Sequence, residues 1–237
     1  MKSTILHKIY AVFSEWSNHL SIACDRGCNA CCTQNVTITA LEGVEILRFV
    51  KAESLSPWLA EKLKRTTTHQ SATITNNAFA KACLEGKETD PGALHNTSPC
   101  PFLVENICRI YPARPFSCRL FASTEKCSST QPALIPDYYF EAATAVSQLV
   151  EHLGQKEYWG NMLDVIPALL DINEFREIAD HFQQTQIIEA RLRTLTALPM
   201  PGFLFTEEAS VKVTELLEVI FSTQVDGKRV EDILNGR

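Results

Sequence analysis

A chain of 237 residues, 45% of them hydrophobic, has enough apolar side chains to build its own core without crosslinks. With 21% charged residues, a net charge of -6 and a pI near 5.6, it offers no broad basic field for nucleic acid or for an anionic lipid surface. No run of about 18 apolar residues occurs, which excludes a helix that spans a membrane.

The first segment, MKSTILHKIYAVFSEWSNHLSIAC, ends on a cysteine in the manner of a lipoprotein leader. His7, Lys8, Glu15, Asn18 and His19 interrupt the apolar stretch such a leader needs. Ile5, Ile9, Val12, Phe13, Trp16 and Leu20 recur at three- and four-residue steps and predict an amphipathic helix instead. The expected compartment is the cytoplasm, where thiols stay reduced and clustered cysteines serve metal or redox chemistry.

Next comes CDRGCNACC, which places Cys24, Cys28, Cys31 and Cys32 in residues 24–32. Thr39 and Glu42 then form a capping-box pattern ahead of Leu41, Val44, Leu47 and Val50, predicting a short helix. Ser56 and Pro57 open another, with Leu59 and Leu63 toward the core. Between residues 85 and 136, Gly86, Pro91, Gly92, Pro99, Pro101, Pro112, Pro115, Pro132 and Pro136 predict irregular structure. That segment holds Cys100, Cys108, Cys118 and Cys127, and no cysteine follows.

From Asp137 the pattern is helical as far as Gly154. A further helical pattern surrounds Trp159, Leu163, Ile166 and Leu169, where Pro167 should kink or break it. A long polar-faced helix is expected over 173–197. Thr206, Glu207 and Glu208 start a last helix through Val211, Leu216, Leu217 and Ile220. No alternating pattern marks a strand. The expected fold class is mainly α, an irregular cysteine-rich metal-binding module over 1–136 packed against a helical C-terminal half over 137–237.

Eight clustered thiols suffice for two tetrahedral zinc sites, or for one iron–sulfur cluster with four thiols left over. A short loop such as Cys28-x-x-Cys31 lets two sulfurs reach one centre at low entropic cost. Neighbouring side chains usually point apart, so Cys31 and Cys32 are expected to serve two metals, or to divide so that one binds while the other supports or reacts. Thiolate sites are anionic, and Arg109, Arg114 and Arg119, with Arg26, are candidates to donate hydrogen bonds to the sulfurs and tune the centre.

Among the other candidates, Cys83 is expected to pack on a helix face, His95 to be solvated, and His152 and His181 to lie on helices without ligand spacing. Phe102, Tyr111, Phe116 and Phe121 are expected to wall the site. No nucleophile elbow, phosphate loop or dinucleotide fingerprint is present.

The pairing of CDRGCNACC with CPFLVENICRIYPARPFSCRLF and the later Cys127 resembles the YkgJ family of cysteine-cluster proteins, described as zinc- or iron-chelating domains. The likeness covers about residues 24–127. It implies a metal site built from Cys24, Cys28, Cys31, Cys32, Cys100, Cys108, Cys118 and Cys127. Flagellin lysine methylases resemble the same module, and for them an iron–sulfur cluster is the expected metal. This chain departs from one common form, C-x-x-C-G-x-C-C: three residues separate Cys24 from Cys28, and Asn29 replaces the glycine.

The expected cofactor is an iron–sulfur cluster, with zinc as the alternative. Cys100 precedes a proline, as in some ferredoxin runs, and the paired knuckles of zinc ribbons are missing. Three roles stand open: a structural zinc module whose C-terminal helices bind a protein partner, an enzyme with a redox or protein-modifying reaction, and a metal sensor or delivery protein.

Overall fold

The computed structural model describes residues 1–66, 69–90, 97–128 and 131–236, and it is mainly α. Pro91, Gly92 and His95 lie outside the described residues. Helix α1 (Lys2–Trp16) buries Ile5, Leu6, Ile9 and Phe13, the stripe expected from their spacing. Strand β1 (Thr37–Thr39) leads directly into α2 (Ala40–Ala52). There Thr39 and Glu42 form the anticipated capping box: the Thr39 hydroxyl accepts from the Glu42 N–H, and the Glu42 carboxylate accepts from the Thr39 N–H.

Helix α3 (Ser56–Arg65) has Pro57 in its first turn and buries Leu59 and Leu63. Helix α4 (Asn76–Leu84), capped by the Thr75 side chain, is an element that apolar spacing did not reveal. It carries Cys83, whose side chain faces solvent rather than packing. Among its described residues the irregular segment contains a small hairpin, β2 (Leu103–Val104) with β3 (Ile107–Cys108), a 3-10 turn over Tyr111–Ala113, and α5 (Phe116–Arg119).

Helix α6 (Asp137–Leu153) ends at Gly154. Beyond it the structure corrects the sequence reading twice. Trp159 lies not on a helix but on β4 (Tyr158–Asn161), followed by α7 (Met162–Ala168), which stops one residue past Pro167. The single helix expected over 173–197 is instead a 3-10 turn, α8 (Arg176–Ala179), α9 (Gln184–Leu192) and β5 (Leu195–Thr196). Buried Phe175 and Ile178 belong to a region that docks on α3, whereas α9 packs on α7 through a face with buried Ile187 and Ala190. One straight rod cannot serve both contacts. The His181 ring accordingly sits in the turn between α8 and α9.

Strands β1, β4 and β5 form an antiparallel sheet in the order β1-β4-β5, with Ile38 opposite Gly160 and Trp159 opposite Leu195. Two or three residues per edge strand are too few to show an alternating pattern, so long-range pairing decides them. The chain closes with α10 (Glu207–Ser222), a hairpin of β6 (Gln224–Val225) and β7 (Lys228–Arg229), and α11 (Val230–Leu234).

Two clusters of buried side chains result. One joins α1, α6 and α10, with Phe13, Val146, Leu149 and Leu216 among its members. The other joins β1, α2, α3 and α7, and reaches Phe102 and Ile110 in the irregular segment. In α2, Gly43 permits the close approach of α7: a Cβ there would lie 2.6 Å from Leu169 Cδ1. Among the described residues no helix is long and apolar enough to cross a membrane.

Candidate metal centre

Two consecutive turns place the first four thiols. The Cys28 N–H donates to Asp25 O, with Gly27 at φ +103, a backbone conformation that costs glycine nothing. The Cys32 N–H then donates to Asn29 O, and the Cys100 N–H donates to Cys32 O, so the two cysteine segments meet at a short bridge between Thr33 and Pro99. The Asn29 side-chain amide reaches Asn106 Oδ1 at 2.8 Å, at the tip of the hairpin that carries Cys108. That tip is tight: Glu105 and Asn106 both have positive φ, as a two-residue hairpin loop requires.

Cys118 is held by α5. The Phe116 N–H donates to the Glu42 carboxylate at 2.7 Å and the Ser117 hydroxyl donates to Thr37 O at 2.6 Å, anchoring the helix to α2 and β1. Glu42 is itself buried and also accepts the Tyr10 hydroxyl at 2.6 Å. Cys127 sits on an arm fixed through Ser123, whose carbonyl accepts the Ala23 N–H next to Cys24.

These constraints bring Cys24, Cys28, Cys31, Cys32, Cys100, Cys108 and Cys118 to the wall of one cavity of about 180 Å³. Cys127 does not line it but interacts electrostatically with Cys24. All nine cysteines are free thiols. Among the described residues no three His, Cys, Asp or Glu side chains yet stand close enough to hold one metal ion.

Arg114 and Arg119 line the cavity; Arg109 does not, and its exposed side chain borders a separate groove with Arg26. The Arg114 guanidinium lies 3.4 Å from the centroid of the Tyr111 ring, and its charge favours the thiolates of Cys31, Cys108 and Cys118. Arg119 is tied to Arg114 O and Pro112 O and lies over Tyr10. Phe102, Tyr111 and Phe121 wall the cavity as expected, but Phe116 is absorbed into the first core. Val36, Ile110 and Met162 complete the apolar lining, and no local signal in the sequence pointed to them.

Burial pushes the Cys100 thiol up to about 11, and burial pushes Cys118 up further, assisted by its thiol neighbours Cys100 and Cys108. Cys31 and Cys32 do not point apart: a hydrogen bond between them holds the Cys31 proton and lowers the Cys32 thiol.

His152 has no part in the site. Its Nδ1 accepts the Met200 N–H and its Nε2 faces Leu234 O, joining α6 to the C-terminal segments. Residues 23–135 match the family model CxxCxxCC, described as "Putative zinc- or iron-chelating domain". No curated protein and no solved structure matches the chain.

Proposed function

We propose that this chain binds metal as an iron–sulfur cluster that draws its ligands from Cys24, Cys28, Cys31, Cys32, Cys100, Cys108, Cys118 and Cys127; the match of residues 23–135 to the CxxCxxCC family model supports zinc or iron chelation. The observation that carries this reading is the cavity, with seven thiols in its wall and about 180 Å³ of space between them. A lone tetrahedral zinc sits against its sulfurs at about 2.3 Å and leaves no room of that size. The donor set is soft, and the apolar walls would limit solvent, which governs both metal retention and potential.

The cluster would supply one-electron chemistry; the chain's own residues bind and shield it. Arg114 offsets thiolate charge from the cavity wall, and Arg119 holds Arg114 in place through its carbonyl. Free thiols suit a reducing compartment such as the cytoplasm.

Anaerobic purification with iron, zinc and sulfide analysis tests the reading, together with visible spectra before and after dithionite. Iron and sulfide in equal amounts, with absorbance that bleaches on reduction, are expected. A colourless protein with stoichiometric zinc would replace the cluster with a structural zinc module.

A further inference from the structure

We infer that the eight thiols divide between two metal centres that meet at the Cys31–Cys32 peptide, an inner one of Cys32, Cys100, Cys108 and Cys118 and an outer one of Cys24, Cys28, Cys31 and Cys127. The division deepens the chelation reading and rests on it.

Backbone geometry draws the line. Cys32 is hydrogen-bonded to Cys100, the Leu103 N–H donates to Cys100 O, and Leu103 lies opposite Cys108 in the hairpin, so three inner ligands share one continuous bonded strip. Cys100, Cys108 and Cys118 all pack against the second hydrophobic core. On the outer side, the Asp25–Cys28 turn and the Ala23–Ser123 bond bring Cys24 and Cys28 to the arm that bears Cys127.

The electrostatic neighbours sort the same way. Beyond its hydrogen bond with Cys31, the largest influence on it, Cys32 feels Cys118, Cys100 and Cys108, whereas Cys24 feels Cys28, Cys127 and Cys31. Cys31 and Cys32, hydrogen-bonded to each other, thus stand where the two sets meet, Cys32 beside the inner thiols and Cys31 beside Cys24, which accounts for a vicinal pair in which each thiol would be redundant at a single centre. Arg114 faces both sets, acting on Cys31 of one and on Cys108 and Cys118 of the other.

Access differs as well. Cys28 and Cys31 are exposed, while Cys24 and Cys127, like each inner cysteine, are half-buried, so the outer set alone has ligands open to solvent. The outer centre therefore exchanges its metal with solution, and the inner one releases its metal only as the surrounding core opens.

The test uses the full chain purified anaerobically, with C28S for the outer centre and C108S for the inner. Metal per chain, acid-labile sulfide and far-UV circular dichroism are measured before and during EDTA treatment. C28S is expected to lose the EDTA-labile fraction and keep the rest, C108S to lose the resistant fraction, and wild type to release metal in two phases. If each variant loses all metal while keeping wild-type ellipticity, the thiols serve one centre; the division falls and chelation stands. If wild type holds no stoichiometric metal, both readings fall. Should C108S lose ellipticity, C28S and the wild-type release profile still decide, since one phase of release with total loss in C28S refutes the division.

Discussion

Replacing Glu42 with alanine tests how the fold positions Cys118. Its carboxylate accepts the Phe116 N–H at 2.7 Å, the Thr39 N–H at 2.9 Å, the Tyr10 hydroxyl at 2.6 Å and the Thr39 hydroxyl at 3.1 Å. Alanine leaves the Phe116 and Thr39 N–H groups buried without an acceptor, at about 1–3 kcal/mol each. Tyr10 is half-buried, so water recovers part of its loss. The expected destabilisation is about 3–5 kcal/mol, a large share of the roughly 5–15 kcal/mol typical of a domain. Urea unfolding of metal-free protein, followed by circular dichroism, measures it. E42Q should cost less, because glutamine at that position can still complete the capping box, but it cannot also accept the Phe116 N–H. Metal affinity should fall in both variants, since α5 loses its tie to α2. A loss below about 1 kcal/mol in E42A would refute the reasoning that this carboxylate organises the site.

Two further buried carboxylates give pH signatures of opposite sign. For Asp164, burial pushes the pKa up, but hydrogen bonds from His69 and Arg193 outweigh it and hold the carboxyl below its ordinary 3.8. Its stabilisation is present above 3.8 and lost as pH falls through the lowered value. D164N should cost about 2–4 kcal/mol at neutral pH, discounted for the exposure of Arg193, and should flatten the acid limb of the stability profile. An unchanged acid slope would contradict this. Glu151 is the reverse case: burial raises it above 4.5 despite bonds from the Leu198 and Asn77 N–H groups. Ionising it in the folded state costs stability, so wild type should lose stability relative to E151Q as pH rises from 4.5 through the raised value. Parallel urea midpoints for the two proteins across that range would show that Glu151 does not carry the effect.

Much of the helical frame was legible because its signals are local. The Thr39 and Glu42 capping box, Pro57 in the first turn of α3, and the apolar stripe of α1 each depend on residues within four positions of one another. The grouping of cysteines into two segments was equally local, and with the family resemblance it carried the expectation of a metal site. The strands were not legible, because Trp159 finds its partners at Thr39 and Leu195, far along the chain. Nor was the break at Asp180, which arises from docking on α3 and α7 together.

By itself the sequence determined that this protein is mainly α, carries eight clustered thiols and has arginines beside them. Tertiary structure decided which arginines reach the cavity and which cysteines come together: Arg114 inside and Arg109 outside, Cys32 beside Cys100, Cys24 near Cys127. The physical reason is that spacing along a chain limits how near two sulfurs can come. Only backbone hydrogen bonds and core packing fix the direction in which each one points.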